Sequence, residues 1–451
     1  MLNLNQLKNI YSNSPLWMKK LYASIPYEIR NGSDYRKWKS FLEREINQEE
    51  YELLKLKETV AYAYESSVYY KNIFDAEHLS PFEINDYTDL SHLPYIDKDI
   101  VKDNFDQLIV KEYPRKKTFY VTTGGTSGSP MKFLQSVNVW KKELAFIMNF
   151  FGQYGYKPSM MKASFRGGEF DRLPSDRYWQ YNPVHNEIHF SPFHINQTTI
   201  QDYVRDLNKF KPKFFHSYPS SLLLLIAHMN NNGLQLDYQV KAIFLISENF
   251  SLEDIEKIKS FFNCEVSSFY GHSERLIFAP SYANDLSNYR VERRYGYFEL
   301  VDTSGEVITK NEIRGEIVGT SFDNLVMPLI RYKTNDFTEY VDVEKYIISL
   351  IEGRWIQEYL DGKDGLKLYL TALNMHSDIF KNVIRYQFIQ RKPGISDLAL
   401  ITNSMFSEID KKKIVHAIDK KAGHALNIDI KVVESLSLTQ RGKLKNILKL
   451  Y

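Results

Sequence analysis

Cysteine is nearly missing from this chain. Cys264 stands alone among 451 residues, which excludes an internal disulfide framework and suits a reducing cytosol. Long apolar runs are missing too. The longest, "LLLLIA" at Leu222 to Ala227, falls far short of the ~20 apolar residues that a membrane-spanning helix needs, so it reads as a buried helix segment. Nor does one sign of charge prevail: 58 Lys and Arg face 56 Asp and Glu, a net charge of +2. A nucleic-acid partner calls for a strongly basic face and gains no argument from that balance. The opening "MLNLNQLKNIYSNSPLWMKK" holds no continuous apolar stretch with a small-residue cleavage site, so no signal peptide and a cytoplasmic location are expected. The first thirty residues are instead aromatic, basic and partly amphipathic. Two placements stay open for them, peripheral docking at a membrane surface or packing on the protein's own surface.

What is present suffices for a large core. Hydrophobic residues make up 43% and charged residues 25%, the balance of a globular chain, and the length predicts two domains. Residues 1–110 read as a helical lead-in. "EEYELLKLKETVAYAYESSVYYKNIF" keeps helical periodicity over several turns, and "LPYIDKDIVKDNF" starts a short helix after Pro94. From Thr118 strands and helices alternate: strand "TFYVTT", an apolar helix from Asn138 to Phe151, strand "KPKFFHSY", helix "SSLLLLIAHMNNNG", strand "KAIFLIS", and helix "SLEDIEKIKSFF" with Ser251 and Asp254 as its start signal. Strand "CEVSSFY" follows and places Cys264 in a buried strand as a small core residue. This order predicts an α/β fold, with a large N-terminal domain, 1–352, of helix-covered, mostly parallel sheets. Its last part, 291–352, reads as a β-rich subdomain. A break at Glu352-Gly353-Arg354 sets off a small α+β C-terminal domain, 353–451, with a loop-rich start, strand "LALITN", basic helix "SEIDKKKIVHAIDKKAG" and strand "IDIKVVES".

One stretch cannot be core. Thr123, Gly124, Gly125, Thr126, Ser127, Gly128 and Ser129 are all glycine or small hydroxyl residues, closed by Pro130 and followed by Lys132. A glycine-rich turn after a strand can cradle phosphates with backbone N–H groups. Neither the Walker A spacing nor the Rossmann G-x-G-x-x-G is met, and taken alone the stretch reads equally as a surface loop. It does not stand alone. "YGHSE", Tyr270 to Glu274, ends a strand where open α/β sheets bind ligands: the glycine permits a turn, the aromatic can stack on a base, and one carboxylate suits Mg²⁺. "PLIRYKTND" presents Asp336 at a turn, suited to ribose hydroxyls; "EGR" brings Arg354 to the domain break; "QRGK" puts Lys443 on a glycine-loosened loop.

These five segments, in this order, resemble the adenylate-forming enzyme superfamily of acyl-CoA synthetases and peptide-synthetase adenylation domains. "SSVYYKNIF" and "LPYIDKDIV" look like its phenylacetate–CoA ligase branch; "HSYPSSL", "YGYFEL", "LTALNMH" and "RGKLK" look closer still to its CapK-type capsular polysaccharide biosynthesis relatives. The resemblance spans about 50–451 and implies ATP and Mg²⁺ as cofactors and a small carboxylic or amino acid as substrate. It places the β- and γ-phosphates on Thr123, Gly124, Gly125, Thr126, Ser127 and Gly128, and adenine and ribose on Ser247, Glu248, Tyr270, Gly271, Asp336 and Arg354. Glu274 would hold Mg²⁺, and Lys443, with Glu274 and Thr126, would serve catalysis from a mobile C-terminal domain. Tyr218 and His272 would border the acyl pocket.

The chain also departs from the pattern. Trp355, Ile356 and Gln357 stand where an acidic hinge is expected, and "LKLYLTALN" replaces the glycine stretch that receives a pantetheine arm. That argues against coenzyme A and for another acceptor, an amine or hydroxyl on a sugar nucleotide or polysaccharide precursor. An acyl-CoA ligase, an AMP transferase and a non-catalytic nucleotide-binding scaffold remain as alternatives. Separately, "HNEIH" sets His185, Glu187 and His189 on one face of a strand, with His194 and His216 as candidate neighbours. The row could bind zinc, or be a hydrogen-bonded strand face. Arg166, in "SFRGGEFDR", lies either near the acyl or acceptor pocket or in an ordinary turn.

Overall fold

The computed structural model describes residues 14–122, 131–167, 177–248, 250–283, 285–351, 359–373, 378–380, 382–437 and 446–451. They group into two compact units. Unit 1 comprises Met1–Val121, Met131–Pro158 and Ser267–Arg354; unit 2 comprises Thr122–Pro130, Ser159–Val266 and Trp355–Tyr451. The architecture is α/β, as expected, with large sheets and a small C-terminal α/β sheet. The expected break at residues 352–354 begins one residue beyond the described stretch that ends at Ile351.

In unit 1 the helix Gln48–Ser66 begins under the Asn47 side chain, which accepts from the Glu49 and Glu50 N–H groups at 3.2 and 3.3 Å, a cap typically worth ~1 kcal/mol. The apolar helix is Val137–Gln153. Its buried Lys142 donates to the Tyr295 carbonyl (2.6 Å) and to Asp323, with Trp38 and Tyr295 rings each 4.8 Å from the ammonium. Antiparallel strands run in the order Gly296–Val301, Arg314–Ser321, Tyr332–Asp342, Ile347–Ser349, Asp285–Arg290 and Phe278–Tyr282, the last pairing with the end of Glu265–Gly271. The β-rich part therefore begins near Phe278, before the expected 291. The lead-in is tied to this sheet: Ile96 bridges Tyr332, and the Lys333 N–H donates to the Ile96 carbonyl at 2.8 Å.

Unit 2 carries the parallel sheet. Strands Ala242–Leu245, Phe214–Ser217, Lys162–Phe165 and Glu187–Phe190 run parallel, with Trp179–Asn182 antiparallel at the edge. Helix Pro219–Asn231 starts with proline at its first position, where a missing N–H costs nothing. Helix Leu252–Phe262 has the reciprocal Ser251–Asp254 capping box that the sequence announces. The small sheet orders Asn427–Val432, Ile395–Thr402, Val383–Lys392 and Ile447–Lys449, with helix Glu408–Ala422 packed in the same cluster, where Phe193 and Tyr218 join Phe388, Leu398, Leu400 and Ile414.

Two readings need correction. Val383–Lys392 is a ten-residue strand inside the stretch read as loop-rich. Its buried Gln387 and Gln390 break the apolar alternation; they bond instead to the Ser437 carbonyl and the Asp361 backbone. Cys264 precedes its strand and is half-buried rather than core, although burial still pushes its thiol up to about 12.

Among the described residues no helix is long and apolar enough to cross a membrane. Helix Leu16–Ser24 buries no side chain.

Candidate active site

The "YGHSE" turn is built from the sheet of unit 1. Strand Glu265–Gly271 delivers Tyr270, whose hydroxyl donates to Asp336 Oδ2 at 2.8 Å. The base-stacking and ribose-binding candidates thus share one hydrogen bond. Asp336 is held by its own turn: Asn335 takes a left-handed φ of +64°, and the Asp336 N–H donates to Thr334 Oγ1 at 3.1 Å. Gly271 still belongs to the strand, and a Cβ there would meet the Phe269 ring no closer than 3.6 Å. The turn therefore does not demand glycine at 271; its left-handed residue is Arg275, φ +55°.

Glu274 is 3% exposed. Its Oε1 accepts from the Tyr332 hydroxyl at 3.2 Å, and its Oε2 lies 3.1 Å from His272 Nδ1. The opposite ring nitrogen, Nε2, is buried without a hydrogen-bond partner among the described residues, and the imidazole centre is 5.8 Å from that of Tyr270. Behind the turn, Gln135 donates to the Ser273 carbonyl at 2.9 Å and accepts from Arg275, which also pairs with Glu143. A second brace is steric. At Gly296 a Cβ would stand 1.9 Å from the Leu276 carbonyl oxygen, so the glycine of "YGYFEL" is required by close backbone approach.

A single buried carboxylate, met by a hydroxyl and an imidazole, fits Mg²⁺, which binds through one or two carboxylates together with substrate phosphates. Among the described residues no cluster of three or more His, Cys, Asp or Glu could hold a metal alone.

Arg331, inside the same "RYKTND" segment, serves the fold. It is buried and donates to Glu299 through Nε (3.2 Å) and Nη2 (2.9 Å), and to the Leu90 and Leu93 carbonyls at 2.9 and 2.7 Å. Sequence reasoning left this tie unread, because its partners lie some 32 and 240 positions away.

Unit 2 holds the other described candidates. Ser247 adopts φ +59°, and the next residue, Glu248, is 5% exposed. Its Oε2 accepts the Ser220 N–H at 3.0 Å, in the first turn of helix Pro219–Asn231. Burial pushes the carboxyl up to about 7, against the pull of Ser220 and Lys367. Tyr218 caps the same helix and is buried, its N–H donating to the Phe165 carbonyl at 2.9 Å.

The histidine row is not a single face. His185 closes a short turn, and only Glu187 and His189 lie on the strand. Burial alone would raise the Glu187 carboxyl, but Lys162, Arg166 and the Ser164 hydroxyl hold it well below the usual range. Arg166 accordingly turns to an ion pair with Glu187, 3.1 Å away. Thr123, Gly124, Gly125, Thr126, Ser127, Gly128, Arg354 and Lys443 lie outside the described residues.

Residues 360–449 match the family model described as the CapK C-terminal domain. Protein CapK of Staphylococcus aureus is 26% identical over 459 residues, covering 97% of this chain and 98% of that protein. A phenylacetate-coenzyme A ligase of Aromatoleum evansii is 25% identical over 297 residues, 64% of this chain and 65% of that one. Among solved structures, 2-hydroxyisobutyryl-CoA ligase in complex with 2-HIB-AMP and CoA, in the thioesterification state, shares the fold with a TM-score of 0.58 at 16% identity, covering 89% of both chains. The chain is thus CapK-like over nearly its whole length and homologous to ATP-dependent ligases that form acyl-adenylates.

Proposed function

We propose that this protein uses ATP to activate a small carboxylic or amino acid as its acyl-adenylate and passes the acyl group to an amine or hydroxyl acceptor. The acceptor class is a sugar of a surface-polysaccharide precursor, and the work is done in the cytoplasm. The observation that carries the reading is the convergence, within one unit, of Glu274 with Tyr332 and His272 and of Tyr270 with Asp336, in a chain whose relatives include acyl-CoA ligases.

In this reading Tyr270 stacks on adenine, Asp336 and Arg354 take the ribose, and the backbone at Ser247, Glu248 and Gly271 lines the base. The turn from Thr123 to Gly128, with Thr126 at its centre, holds the β- and γ-phosphates. Tyr218 and His272 border the acyl group. The substrate carboxylate must approach an α-phosphate of the same sign; Mg²⁺ on Glu274, when bound, neutralises part of that charge. Lys443 bridges both anions, and a pre-organised charge of this kind is worth ~10²–10³ in rate. The C-terminal domain, 353–451, pivots near Gly353–Glu358 to withdraw Lys443 after the first step.

The test is incubation with ATP, Mg²⁺ and a panel of carboxylic and amino acids, reading pyrophosphate release and hydroxylamine trapping. Acid-dependent hydroxamate is expected, with Lys443→Ala slower by ~10²–10³. AMP transfer without an acid would support a nucleotidyl transferase, and no turnover a scaffold. A second reading keeps coenzyme A as acceptor, favoured by the phenylacetate-coenzyme A ligase relatives; thioester formation from the trapped adenylate would establish it.

A further inference from the structure

Unit 2 holds a cavity of about 300 Å³, at the small end of the ~300–1,000 Å³ typical of ligand sites; Tyr218 and Glu248, already assigned to the acyl group and the base, are part of its lining, and the rest of it has no role in the proposed chemistry. Every residue lining it belongs to that unit. One wall is the first three turns of helix Pro219–Asn231, presenting Leu223, Leu224 and Ala227; the facing wall is the hairpin that carries Leu366 and Tyr369.

Glu248 closes the polar end. Its Oε2 is held by the Ser220 N–H, but its Oε1 is buried without a partner among the described residues. An unsatisfied buried oxygen costs ~1–3 kcal/mol, and more when charged. The charged and titratable groups facing it are few. Lys367 is the hairpin cation that lines the cavity, and its ammonium sits 4.7 Å from the Tyr359 ring. Asp254 is a second carboxylate, engaged in the capping box of its helix. The Tyr218 and Tyr369 hydroxyls stay neutral, burial raising both. The polar end therefore offers two carboxylates and one lysine that is drawn onto a ring.

We propose that this cavity binds a primary amine with an apolar or aromatic body, its ammonium donating to Glu248 Oε1 and its body lying against Leu223, Leu224 and Tyr369. A hydroxyl would supply the missing hydrogen bond but not the countercharge, whereas an ammonium supplies both. The site shares Tyr218 and Glu248 with the proposed adenylate site and is read by probe binding without ATP, so its failure and a failure of acid-dependent pyrophosphate release are seen separately.

The experiment titrates the full chain with benzylamine and, as a matched neutral probe, benzyl alcohol, followed by calorimetry and ligand-observed NMR at pH 6 and pH 8. Benzylamine is expected to bind about tenfold more tightly than the alcohol at pH 8, an advantage that shrinks several-fold at pH 6 as Glu248 takes up its proton. Glu248→Gln abolishes the advantage, and Lys367→Met, on an exposed side chain, leaves it intact or larger. Leu224→Trp, which fills the cavity, weakens both probes. Equal binding of the two probes, an advantage unchanged in Glu248→Gln, or no saturable binding of benzylamine at millimolar concentration would each overturn the proposal. Circular dichroism of every variant separates loss of binding from loss of fold.

Discussion

Replacing Arg331 by methionine separates a structural arginine from a nucleotide-binding one. Arg331 is 1% exposed and Glu299 2%, and their two hydrogen bonds sit where water does not enter. Removing one partner of a buried pair leaves the other charged and uncompensated, typically a loss of ~3–5 kcal/mol. The Leu90 and Leu93 carbonyls and the Tyr95 hydroxyl lose their donor as well, each worth ~0.5–1.5 kcal/mol. Arg331→Met should therefore lower the urea midpoint of unit 1 steeply, while the double variant Arg331→Met/Glu299→Leu recovers part of the loss but not the carbonyl bonds. The fraction that remains folded should keep an unchanged KM for ATP. A variant within about 1 kcal/mol of the parent whose KM for ATP rises tenfold would refute the reasoning and assign Arg331 to the nucleotide.

Four other outcomes can be checked directly. Glu248 has its carboxyl raised from 4.5 to about 7, so the native state binds the extra proton; this contribution to stability is complete below pH 4.5 and lost as pH rises through 7, about 3 kcal/mol in all. Hydrogen exchange in helix Pro219–Asn231 should thus show less protection at pH 8 than at pH 5, with the slope gone in Glu248→Gln; parallel slopes would exclude the shift. Gly296→Ala should displace the 274–277 segment, costing ~1–3 kcal/mol and slowing adenylation, read by thermal unfolding and pyrophosphate release. Asp336→Asn is expected to raise the KM for ATP with little change in melting temperature. Ser251→Ala should lose ~1 kcal/mol through the helix cap alone and leave turnover unaffected.

The sequence made most of the scaffold legible because its signals are local. The Ser251–Asp254 start is a bonded capping box, and the apolar periodicity from 138 to 151 is the helix Val137–Gln153. What escaped is what depends on distant partners. Val383–Lys392 pairs with Ile447–Lys449 across about sixty residues, and its buried glutamines are satisfied only by that tertiary setting. "HNEIH" alternates like one strand face but begins in a turn, with Asn186 left-handed at φ +43°, so its first histidine leaves the row. Of the five motifs, the described residues contain two, "YGHSE" and "PLIRYKTND", and they meet through the Tyr270–Asp336 and Tyr332–Glu274 hydrogen bonds. Those contacts were not legible: Tyr332 on Glu274 and Gln135 behind Ser273 come from strands whose pairing no spacing announces. The Glu248 cavity is a purely tertiary feature, since Glu248 and the 366–369 wall lie over a hundred positions apart.

Several buried carboxylates among the described residues are balanced inside the fold, and the contrast with Glu248 bears on where a ligand fits. Glu299 is met by Arg331, Glu52 by Arg293 at 2.6 Å, and Glu187 by Lys162 and Arg166. Each of these charges is balanced inside the fold, at a desolvation cost that makes such pairs poor binding sites, because a ligand would first have to displace a guanidinium or ammonium already in place. Glu248 differs. Its Oε2 accepts the Ser220 N–H, and its Oε1 is buried without a partner among the described residues. A backbone N–H orients a carboxylate without supplying a full countercharge, and a folded chain keeps such a carboxylate buried most readily when something outside the chain completes it. An ammonium would do so at Glu248. Benzylamine, added without ATP, should consequently protect helix Pro219–Asn231 from exchange in the parent chain and not in Glu248→Gln. Equal protection in the two would show that the carboxylate does not hold the ammonium.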